Sequence, residues 1–326
     1  MHTKEKVEFI PQDGKRVNWY ICGPTVYSDS HLGHAKTYLC FDTLRKIMER
    51  YFGYSVFQVM NITDIEDKII KRSNEEGKEY FEFARYWEKD FFQICDTLGI
   101  DMPDVITRIT EFIPEVIVYI QKIIDNGFAY ESKGSVYFDV KAYKESGKIY
   151  PQLRVMGDDQ NQEDANLDSN EFKDDKKDPR DFVLWKASKE NEPFWESPWG
   201  NGRPGWHIEC SVMCSSLLKT PVDLHTGGED LKFPHHDNEI AQSEAHDLCE
   251  QWMNYFLHTG HMNINGLKMS KSLKNFIKIK EVVKKVNPRV LRLYYNSVNY
   301  DAILNCNPED EFSEAKSLDK TFSEFF

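Results

Sequence analysis

The chain has 326 residues, of which 29% are charged and 40% hydrophobic, and its formal net charge is −13 at pH 7. That length favours two or more domains, while the absence of an apolar run near the roughly 20 residues that cross a bilayer excludes a membrane-spanning helix. The N-terminus lacks a signal-peptide h-region, and the seven cysteines, without C-x-x-C spacing, do not resemble a disulfide framework. We therefore expect a soluble protein in a reducing compartment, the cytoplasm.

The negative charge is unevenly distributed along the chain. Residues 157–181 hold ten acidic and four basic side chains, and residues 301–326 hold seven and two. The remainder is close to neutral, so the net charge neither favours nor excludes RNA, because local basic patches can still meet phosphates. Residues 157–179 are also poor in apolar groups, which predicts a disordered or mobile loop.

The first strand and helix are predicted from a short apolar run and the polar residues after it. Residues 17–22 indicate a buried strand, which Gly23-Pro24 ends. Ser28-Asp29-Ser30 then supplies N-cap residues for a helix over about 31–51.

Two histidines stand at the start of that helix. His31 and His34 are three apart and share a face at the N-terminus, where unpaired backbone N–H groups and the helix dipole favour an anion. Gly33 between them lets a flat ring approach the backbone. By itself, the segment His31-Leu32-Gly33-His34 is also consistent with a capped helix that carries two surface histidines.

Alternating strand and helix patterns over residues 17–100 indicate βαβ units and a parallel sheet. The expected fold class is therefore α/β, a Rossmann-like parallel sheet split by an inserted connective segment and followed by a short α-helical C-terminal part. The further predicted elements are a strand at 56–60, a helix after Thr63, a helix at 110–126, a hairpin at 128–140 turning at 132–134, and a sheet pattern from 182 to about 257.

A second polar motif, Lys268-Met269-Ser270-Lys271-Ser272, begins 237 positions after His31. It places two ammonium groups on a short loop, and such a loop alone is usually a solvated turn. A polyphosphate is a ligand that both the paired imidazoles and the paired ammonium groups could contact at once. ATP is therefore the first ligand we expect.

Cysteine, histidine and glutamate form another candidate set. Cys22 follows the first strand at its carboxyl end, where open α/β sheets bind ligands. His235 and Glu239 are four apart on a predicted helix and can face one ion. With Cys210 they offer acceptable zinc ligands. Spacing alone leaves the site open, because 188 residues separate the cysteines and each also suits a buried apolar position.

The histidine segment, residues 31–34, and the lysine segment, residues 268–272, resemble the two signature motifs of class I aminoacyl-tRNA synthetases. Leu32 stands in place of the usual isoleucine. Four further segments resemble cysteinyl-tRNA synthetases, and Lys-Ser-Leu-Lys-Asn-Phe at 271–276 resembles eukaryotic members. The resemblance runs from about residue 8 to the C-terminus. The four segments are residues 21–27, 61–68, 202–210 and 233–239.

The resemblance implies one Zn²⁺ per chain and a cysteine pocket beside it. Asp230 would meet the substrate ammonium group and Trp206 would form an apolar wall, while Thr226 adds a Cβ where bacterial members are richer in glycine. The implied zinc ligands are Cys22, Cys210, His235 and Glu239. The implied substrate-binding residues are Cys22, Thr63, Trp206, His225 and Asp230.

The resemblance also implies ATP, bound with Mg²⁺, and catalysis by positioning and charge stabilisation. The implied catalytic residues are His31, His34, Lys268 and Lys271. The implied ATP-binding residues are Gly23, Thr25, His31, Gly33, His34, Gly228 and Lys271.

The implied reaction is activation of L-cysteine to cysteinyl-adenylate, followed by transfer to tRNA(Cys), with no membrane partner. Zinc binding of the substrate thiolate would select cysteine over serine, because a shape-based pocket yields only about 1–3 kcal/mol for so small a difference.

The resemblance implies five regions along the chain. Family members continue into a helical region that contacts the anticodon, so we expect this chain to be truncated there and those contacts to be missing. The expected regions are residues 1–105 (first half of the catalytic domain), 106–181 (connective insertion with the acidic loop), 182–262 (second half), 263–300 (lysine loop and stem-contact region) and 301–326 (start of the helical domain).

Three alternatives remain at this point. A related ligase joins cysteine to an amino-sugar in mycothiol synthesis. Smaller HxGH nucleotidyltransferases share the histidine motif without the zinc ligands. A zinc-binding interaction module would show no cysteine-dependent ATP–pyrophosphate exchange.

Overall fold

The computed structural model describes residues 7–154, 175–269, 275–307 and 312–325. The strands among them are β1 (Arg16–Ile21), β2 (Ser55–Ile62), β3 (Val105–Arg108), β4 (Ala129–Ser132), β5 (Ser135–Phe138), β6 (Phe182–Ala187), β7 (Gly202–Pro204), β8 (Val222–Gly228), β9 (Met253–Thr259), β10 (Met262–Ile264), β11 (Leu267–Lys268) and β12 (Leu304–Cys306). The α-helices of four or more residues are α1 (Leu32–Arg50), α2 (Asp67–Glu75), α3 (Tyr80–Thr97), α4 (Ile113–Asp125), α5 (Val140–Glu145), α6 (Trp206–Leu217), α7 (Asp237–Asp247), α8 (Ile279–Val282), α9 (Pro288–Asn296) and α10 (Ser313–Phe325). None of these helices is long and apolar enough to cross a membrane.

The centre of the molecule is a five-stranded parallel sheet with the strand order β3-β2-β1-β8-β9. In β1, Ile21 lies between Met60 of β2 and Thr226 of β8. Helices cover the sheet, so these strands carry near-continuous apolar runs rather than an alternating pattern. The predicted α/β class with a Rossmann-like parallel sheet is confirmed, and the first two strands lie where the apolar runs predicted them.

Helix α1 begins one residue later than predicted and is not capped by Ser28, Asp29 or Ser30. The N-cap residue is His31, whose backbone N–H donates to His34 Nδ1 at 3.3 Å. The preceding residues have other partners: the Asp29 carboxylate lies 2.8 Å from Lys278 Nζ, and the Ser30 carbonyl accepts from the Ile279 N–H. The Asp29 carboxylate, which the local sequence predicts as a helix cap, is therefore paired with a residue far away in the chain.

The inserted segment forms a four-stranded antiparallel sheet with the order β4-β5-β6-β7. The predicted hairpin is present and turns at Lys133-Gly134, where both residues have positive φ. The expectation that residues 182–185 return to the parallel sheet is wrong, because β6 pairs antiparallel with β5. Phe182 stacks on Phe138 at 4.8 Å, and an apolar run buried on both faces does not reveal which sheet it joins.

The acidic loop is the least described part of the insertion. Of the predicted mobile residues 157–179, residues 157–174 lie outside the described residues. The approach to them is fixed, since the Asp237 carboxylate accepts hydrogen bonds from the backbone N–H groups of Gln152 and Leu153 at 2.7 and 2.9 Å.

The C-terminal part contains helices, as predicted, namely α8 to α10, and it also contains a small sheet with the order β11-β10-β12. This part packs on α1, where Tyr295 donates to the Leu32 carbonyl at 3.0 Å and the buried Lys36 donates to the carbonyls of Gly260 and Ala302 at 2.6 and 2.7 Å. The start of α1 is thereby held between the central sheet and the C-terminal part.

Candidate metal and nucleotide site

An open cavity of about 1250 Å³ lies at the carboxyl ends of β1, β2 and β8, with the antiparallel sheet as one wall. Parallel sheets bind ligands at this edge because the strand ends and helix N-termini converge there. The cavity is lined by many of the residues predicted from the sequence. They are Cys22, Gly23, Thr25, His31, Gly33, His34, Thr63, Trp206, Cys210, Gly228, Asp230 and His235.

Two thiols from distant parts of the chain meet at the base of this cavity. Cys22 follows β1 and Cys210 lies on α6, and their sulfur atoms are 3.7 Å apart. Glu239 Oε1 lies 3.7 Å from Cys22 Sγ and 3.1 Å from His235 Nε2, while His235 Nε2 lies 3.4 Å from Cys210 Sγ. One ligand atom from each residue falls within 4.8 Å of the others, so the cluster could hold a metal ion.

The local geometry behind His235 and Glu239 differs from the predicted single helix. His235 lies in a π-helical turn, Lys232–His236, and Glu239 lies in the first turn of α7. The spacing of four residues still brings the imidazole and the carboxylate together, because helical turns of either kind align such residues.

A second set of ligand atoms shares part of this cluster: Cys22, His225, His236 and Glu239 also offer atoms within 4.8 Å of one another. His225, predicted in the substrate pocket, lies fully buried beneath it, with Nε2 3.0 Å from Glu239 Oε2 and Nδ1 3.2 Å from the Tyr20 carbonyl.

Sequence reasoning missed the remaining histidines of this cluster. His207 Nδ1 lies 2.9 Å from His235 Nδ1, and His258 Nε2 lies 2.8 Å from His236 Nδ1. Such outer contacts orient imidazole ligands. The adjacent pairs Trp206-His207 and His235-His236 were visible signals, since each places a second ring beside a predicted site residue.

Burial sets the protonation of the cluster. It raises the pKa of Cys22, raises the pKa of Cys210 to about 11 and raises the pKa of Glu239. It also lowers the pKa of His235 well below its usual value. A low-dielectric site disfavours every isolated charge, whereas a divalent cation would favour thiolates and a carboxylate and would accept neutral imidazole.

The histidines of α1 stand at the other end of the cavity. The rings of His31 and His34 stack with centroids 3.8 Å apart and planes 13° apart. Both line the cavity at the N-terminus of α1, where orphan backbone N–H groups favour an anion. Gly33 also lines it, and a Cβ there would lie 2.9 Å from Met269 Cε and 3.1 Å from the His31 ring.

Gly23 and Thr25 are held by the end of β2. The Gly23 N–H donates to Asn61 Oδ1 at 2.9 Å, and a Cβ on Gly23 would lie 1.6 Å from the Asn61 carbonyl oxygen. Thr25 forms a parallel bridge with Thr63. Only glycine fits the close approach at position 23.

The lysine motif is only partly described. Lys268 ends β11, and Met269 is buried against the core beside Gly33. Residues 270–274, with Lys271, lie outside the described residues, so the roles of both lysines remain predictions.

The remaining pocket residues are placed by three different elements. Trp206 begins α6 and stacks on His235 with ring centroids 4.5 Å apart. Asp230 is exposed in the short helix Glu229–Leu231 that follows β8, beside Gly228. Thr226 does not obstruct this edge, since its buried hydroxyl accepts a hydrogen bond from Trp19 Nε1 at 2.9 Å.

Glu209 was not predicted and lies deep in the pocket wall. Its side chain is 1% exposed, and its Oε2 accepts a hydrogen bond from the Thr63 hydroxyl at 2.8 Å. Burial raises the pKa of Glu209 well above its usual value. Its position next to Cys210 in the resembling segment was the one available signal.

Residues 8–317 match the family described as tRNA synthetases class I (C) catalytic domain. The chain is 49% identical to "Cysteine--tRNA ligase, cytoplasmic" of Dictyostelium discoideum over 99% of its own length and 50% of that protein. It is 48% identical to "Cysteine--tRNA ligase" of Encephalitozoon cuniculi (strain GB-M1), over 97% of the chain and 64% of that protein. It is 38% identical to "Cysteine--tRNA ligase, cytoplasmic" of Homo sapiens, over 99% and 57%. The chain thus spans about half to two thirds of these relatives.

The fold has a solved counterpart. Mycobacterium tuberculosis methionyl-tRNA synthetase in complex with methionyl-adenylate matches with a TM-score of 0.71 and 14% sequence identity, over 92% of this chain and 68% of that one. At this identity the likeness concerns the fold alone. With the match over residues 8–317 and the similarity to the three curated relatives, the resemblance found in the sequence is confirmed: the chain belongs to the family of class I (C) tRNA synthetase catalytic domains.

Proposed function

We propose that this chain carries the catalytic part of a cysteine–tRNA ligase, which activates L-cysteine with ATP and transfers the cysteinyl group to tRNA(Cys). The observation that carries the proposal is the pairing of Cys22 and Cys210, 3.7 Å apart, in the same cavity as the stacked rings of His31 and His34. A metal bound at the two thiols would bind the thiol of an amino acid, and the helix N-terminus in the same cavity would bind the phosphates of a nucleotide.

The metal of this site is proposed to be one Zn²⁺ held by Cys22, Cys210, His235 and Glu239. Two sulfur atoms, an imidazole and a carboxylate within 4.8 Å of one another are a set that zinc accepts. Bound zinc would offer soft-metal affinity for a thiolate over a hydroxyl, which is the chemical distinction between cysteine and serine. Trp206, stacked on His235, would exclude water from that end of the pocket.

The nucleotide would lie along the cavity from the end of β1 to the start of α1. Gly23, Thr25 and Gly228 line this part of the cavity, and Gly33 lines it in the first turn of α1. His31 and His34 would hold the phosphates and adenosine, because the N–H groups of the helix terminus already point there.

The α-phosphorus of ATP would be attacked by the cysteine carboxylate, and pyrophosphate would leave with Mg²⁺. Lys268 and Lys271 would stabilise the charge that develops on the pyrophosphate, with no covalent enzyme intermediate. Asp230, exposed after β8 at the rim of the cavity, would meet the substrate ammonium group.

The proposed partners are ATP, L-cysteine and tRNA(Cys), and the proposed location is the cytoplasm, as the names of two of the relatives say of those proteins.

The test is ATP–pyrophosphate exchange with cysteine or serine as the amino acid, together with the zinc content of the same sample. We expect exchange that depends on cysteine, with about one zinc per chain and at least about a thousandfold preference over serine. Exchange with neither amino acid would contradict the proposal and favour a non-enzymatic zinc module. Activation followed by transfer to an amino-sugar in place of tRNA would reassign the acceptor.

A further inference from the structure

The backbone at the start of α1 is paired with a segment that follows the lysine motif in the sequence. His31, the N-cap residue, forms an antiparallel bridge with Lys278. Two backbone hydrogen bonds of 3.0 and 3.1 Å flank this bridge, from the Leu32 N–H to the Ile277 carbonyl and from the Ile279 N–H to the Ser30 carbonyl. The backbone that carries the first histidine is thus held from outside the helix.

Two lysines of the same segment hold the residues before α1 by ion pairs. Asp29 Oδ2 lies 2.8 Å from Lys278 Nζ, and Asp29 Oδ1 lies 3.4 Å from Lys280 Nζ. Burial alone would raise the pKa of Asp29, but the hydrogen bonds and charges of the two lysines bring this pKa below its usual value. Asp29 is therefore ionised near neutral pH, and each of its oxygens has a cationic partner.

Lys280 extends this contact to a third element. It also pairs with Asp90 of α3, and its Nζ lies 6.0 Å from the centre of the Trp87 ring. The Asp90 side chain is only 6% exposed. Movement of Lys280 away from Asp90 would leave a buried charge without its partner, which is strongly unfavourable. Lys280 therefore gives Asp29 a fixed partner.

The four charged side chains of this cluster do not contact a ligand in the cavity themselves. They lie outside the set of described residues that line it, whereas His31 and His34 are part of that set. The groups that would bind an anion are these two rings and the N–H groups at the start of α1. All of them move together if the backbone at residue 31 moves, because they belong to one helical turn.

We propose that Lys278 and Lys280 are positioning residues for nucleotide binding, which act through Asp29 on the N-terminus of α1. This inference rests on the proposed function, since it takes ATP as the ligand of that helix terminus. The ion pairs should affect the affinity for the nucleotide and not the affinity of the thiol site for cysteine.

The experiment measures binding of MgATP and, separately, of L-cysteine by isothermal titration calorimetry on the zinc-loaded full chain. Asp29→Asn and Lys278→Met should each raise the Kd for MgATP about threefold to fivefold, because the loss is limited by the worth of partly exposed ion pairs. The Kd for cysteine should change by less than about 1.5-fold. Lys284→Met is the matched control, since this exposed lysine of the same segment pairs with Glu281, and it should leave both Kd values unchanged.

The two substitutions change the local charge in opposite directions, which separates positioning from a simple charge effect on the polyphosphate. A charge effect alone would make Asp29→Asn bind MgATP more tightly and Lys278→Met more weakly, and that result would overturn the proposal. Equal losses for MgATP and cysteine would show a general structural role and would also overturn it. So would unchanged binding of MgATP in both variants.

Further variants test the pairing itself. Lys278→Arg retains the charge and should keep the original Kd for MgATP. The double variant Asp29→Asn/Lys278→Met should bind no more weakly than Asp29→Asn, since both lack the same ion pair, and additive losses would contradict the assignment.

Lys280→Met is combined with Asp90→Asn, so that no buried charge is left unpaired. This double variant should also raise the Kd for MgATP about threefold to fivefold, and an unchanged Kd would remove Lys280 from the proposal. If the unaltered chain does not bind MgATP, the proposed function fails together with this inference. Normal binding by the unaltered chain and by every variant overturns this inference alone.

Discussion

At the scale of single residues, the site depends on a few side chains whose neighbours are fixed by burial. Cys210 and Cys214 lie one turn apart on α6, and both are buried. Only Cys210 faces Cys22, His235 and Glu239. Identical residue types on one helix thus have different consequences, which makes them a matched pair for experiment.

Cys210→Ala should remove a metal ligand and lower zinc affinity at least about a hundredfold, since even outer contacts of metal ligands are worth 10–100-fold. Cys214→Ala should retain about one zinc per chain. Competition with a chromophoric chelator measures both affinities. A similar loss in the two variants would indicate a general effect on α6 rather than loss of a ligand.

Gly23→Ala should destabilise the fold, because its Cβ would lie 1.6 Å from the Asn61 carbonyl oxygen and the strand ends must separate. We expect the free energy of unfolding to fall by about 1–3 kcal/mol, as for other overpacked sites. In Gly33→Ala the closest neighbour is the flexible end of Met269, so a smaller loss is expected.

Urea denaturation of these two variants measures both changes. An unfolding free energy for Gly23→Ala within about 0.5 kcal/mol of the unaltered chain, the range of neutral substitutions, would show that the ends of β1 and β2 can move apart freely.

At the scale of elements, α1 connects the central sheet to the C-terminal part. Backbone groups of Ser30 and Leu32 pair with Ile279 and Ile277, respectively. Buried Lys36 crosses the same interface to two backbone carbonyls. The histidine-bearing helix terminus is therefore placed by residues far away in the chain.

Lys36→Met should remove both of these hydrogen bonds and leave two carbonyl groups without their donor. Because bonds to charged groups are worth about 1.5–3 kcal/mol each, we expect the free energy of unfolding to fall by at least about 2 kcal/mol. Lys284→Met is the control, since Lys284 is exposed and pairs with Glu281 at the surface.

The control should change stability by less than about 0.5 kcal/mol. Urea unfolding of the two variants under the same conditions gives the comparison, and equal effects would mean that the Lys36 contacts carry no special stability.

At the scale of the whole molecule, the candidate metal cluster joins segments that are distant in sequence. Its residues come from the end of β1, from α6, from the π-helical turn and from α7. A metal bound there would connect both halves of the parallel sheet, and any ligand of the folded state alone stabilises that state.

Removal of the metal with a chelator should therefore lower the Tm of the chain. At free zinc a hundredfold above Kd the expected contribution is about 2.7 kcal/mol, or a shift of several degrees for a protein of this size. Differential scanning calorimetry with and without chelator measures it. The same treatment should leave the Tm of Cys210→Ala unchanged, and an equal shift in that variant would indicate binding elsewhere.

The sequence predicted the features that depend on residues close together in the chain. The first strands, the hairpin turning at Lys133-Gly134, the facing of His31 and His34, and the pairing of His235 with Glu239 all follow from spacings of two, three or four residues. The sequence also suggested a metal site, although the partnership of Cys22 with Cys210 came from a family resemblance rather than from spacing.

The tertiary structure alone decided which distant groups meet. It assigned β6 to the antiparallel sheet, gave Asp29 to Lys278 instead of a helix cap, and placed His207, His258 and Glu209 around the predicted site. An apolar run indicates that a segment is buried, and a buried polar residue indicates that it needs a hydrogen-bond partner. Neither pattern identifies the partner. The identity is set by packing across large sequence separations, such as the 188 residues between Cys22 and Cys210, about which local periodicity holds no information.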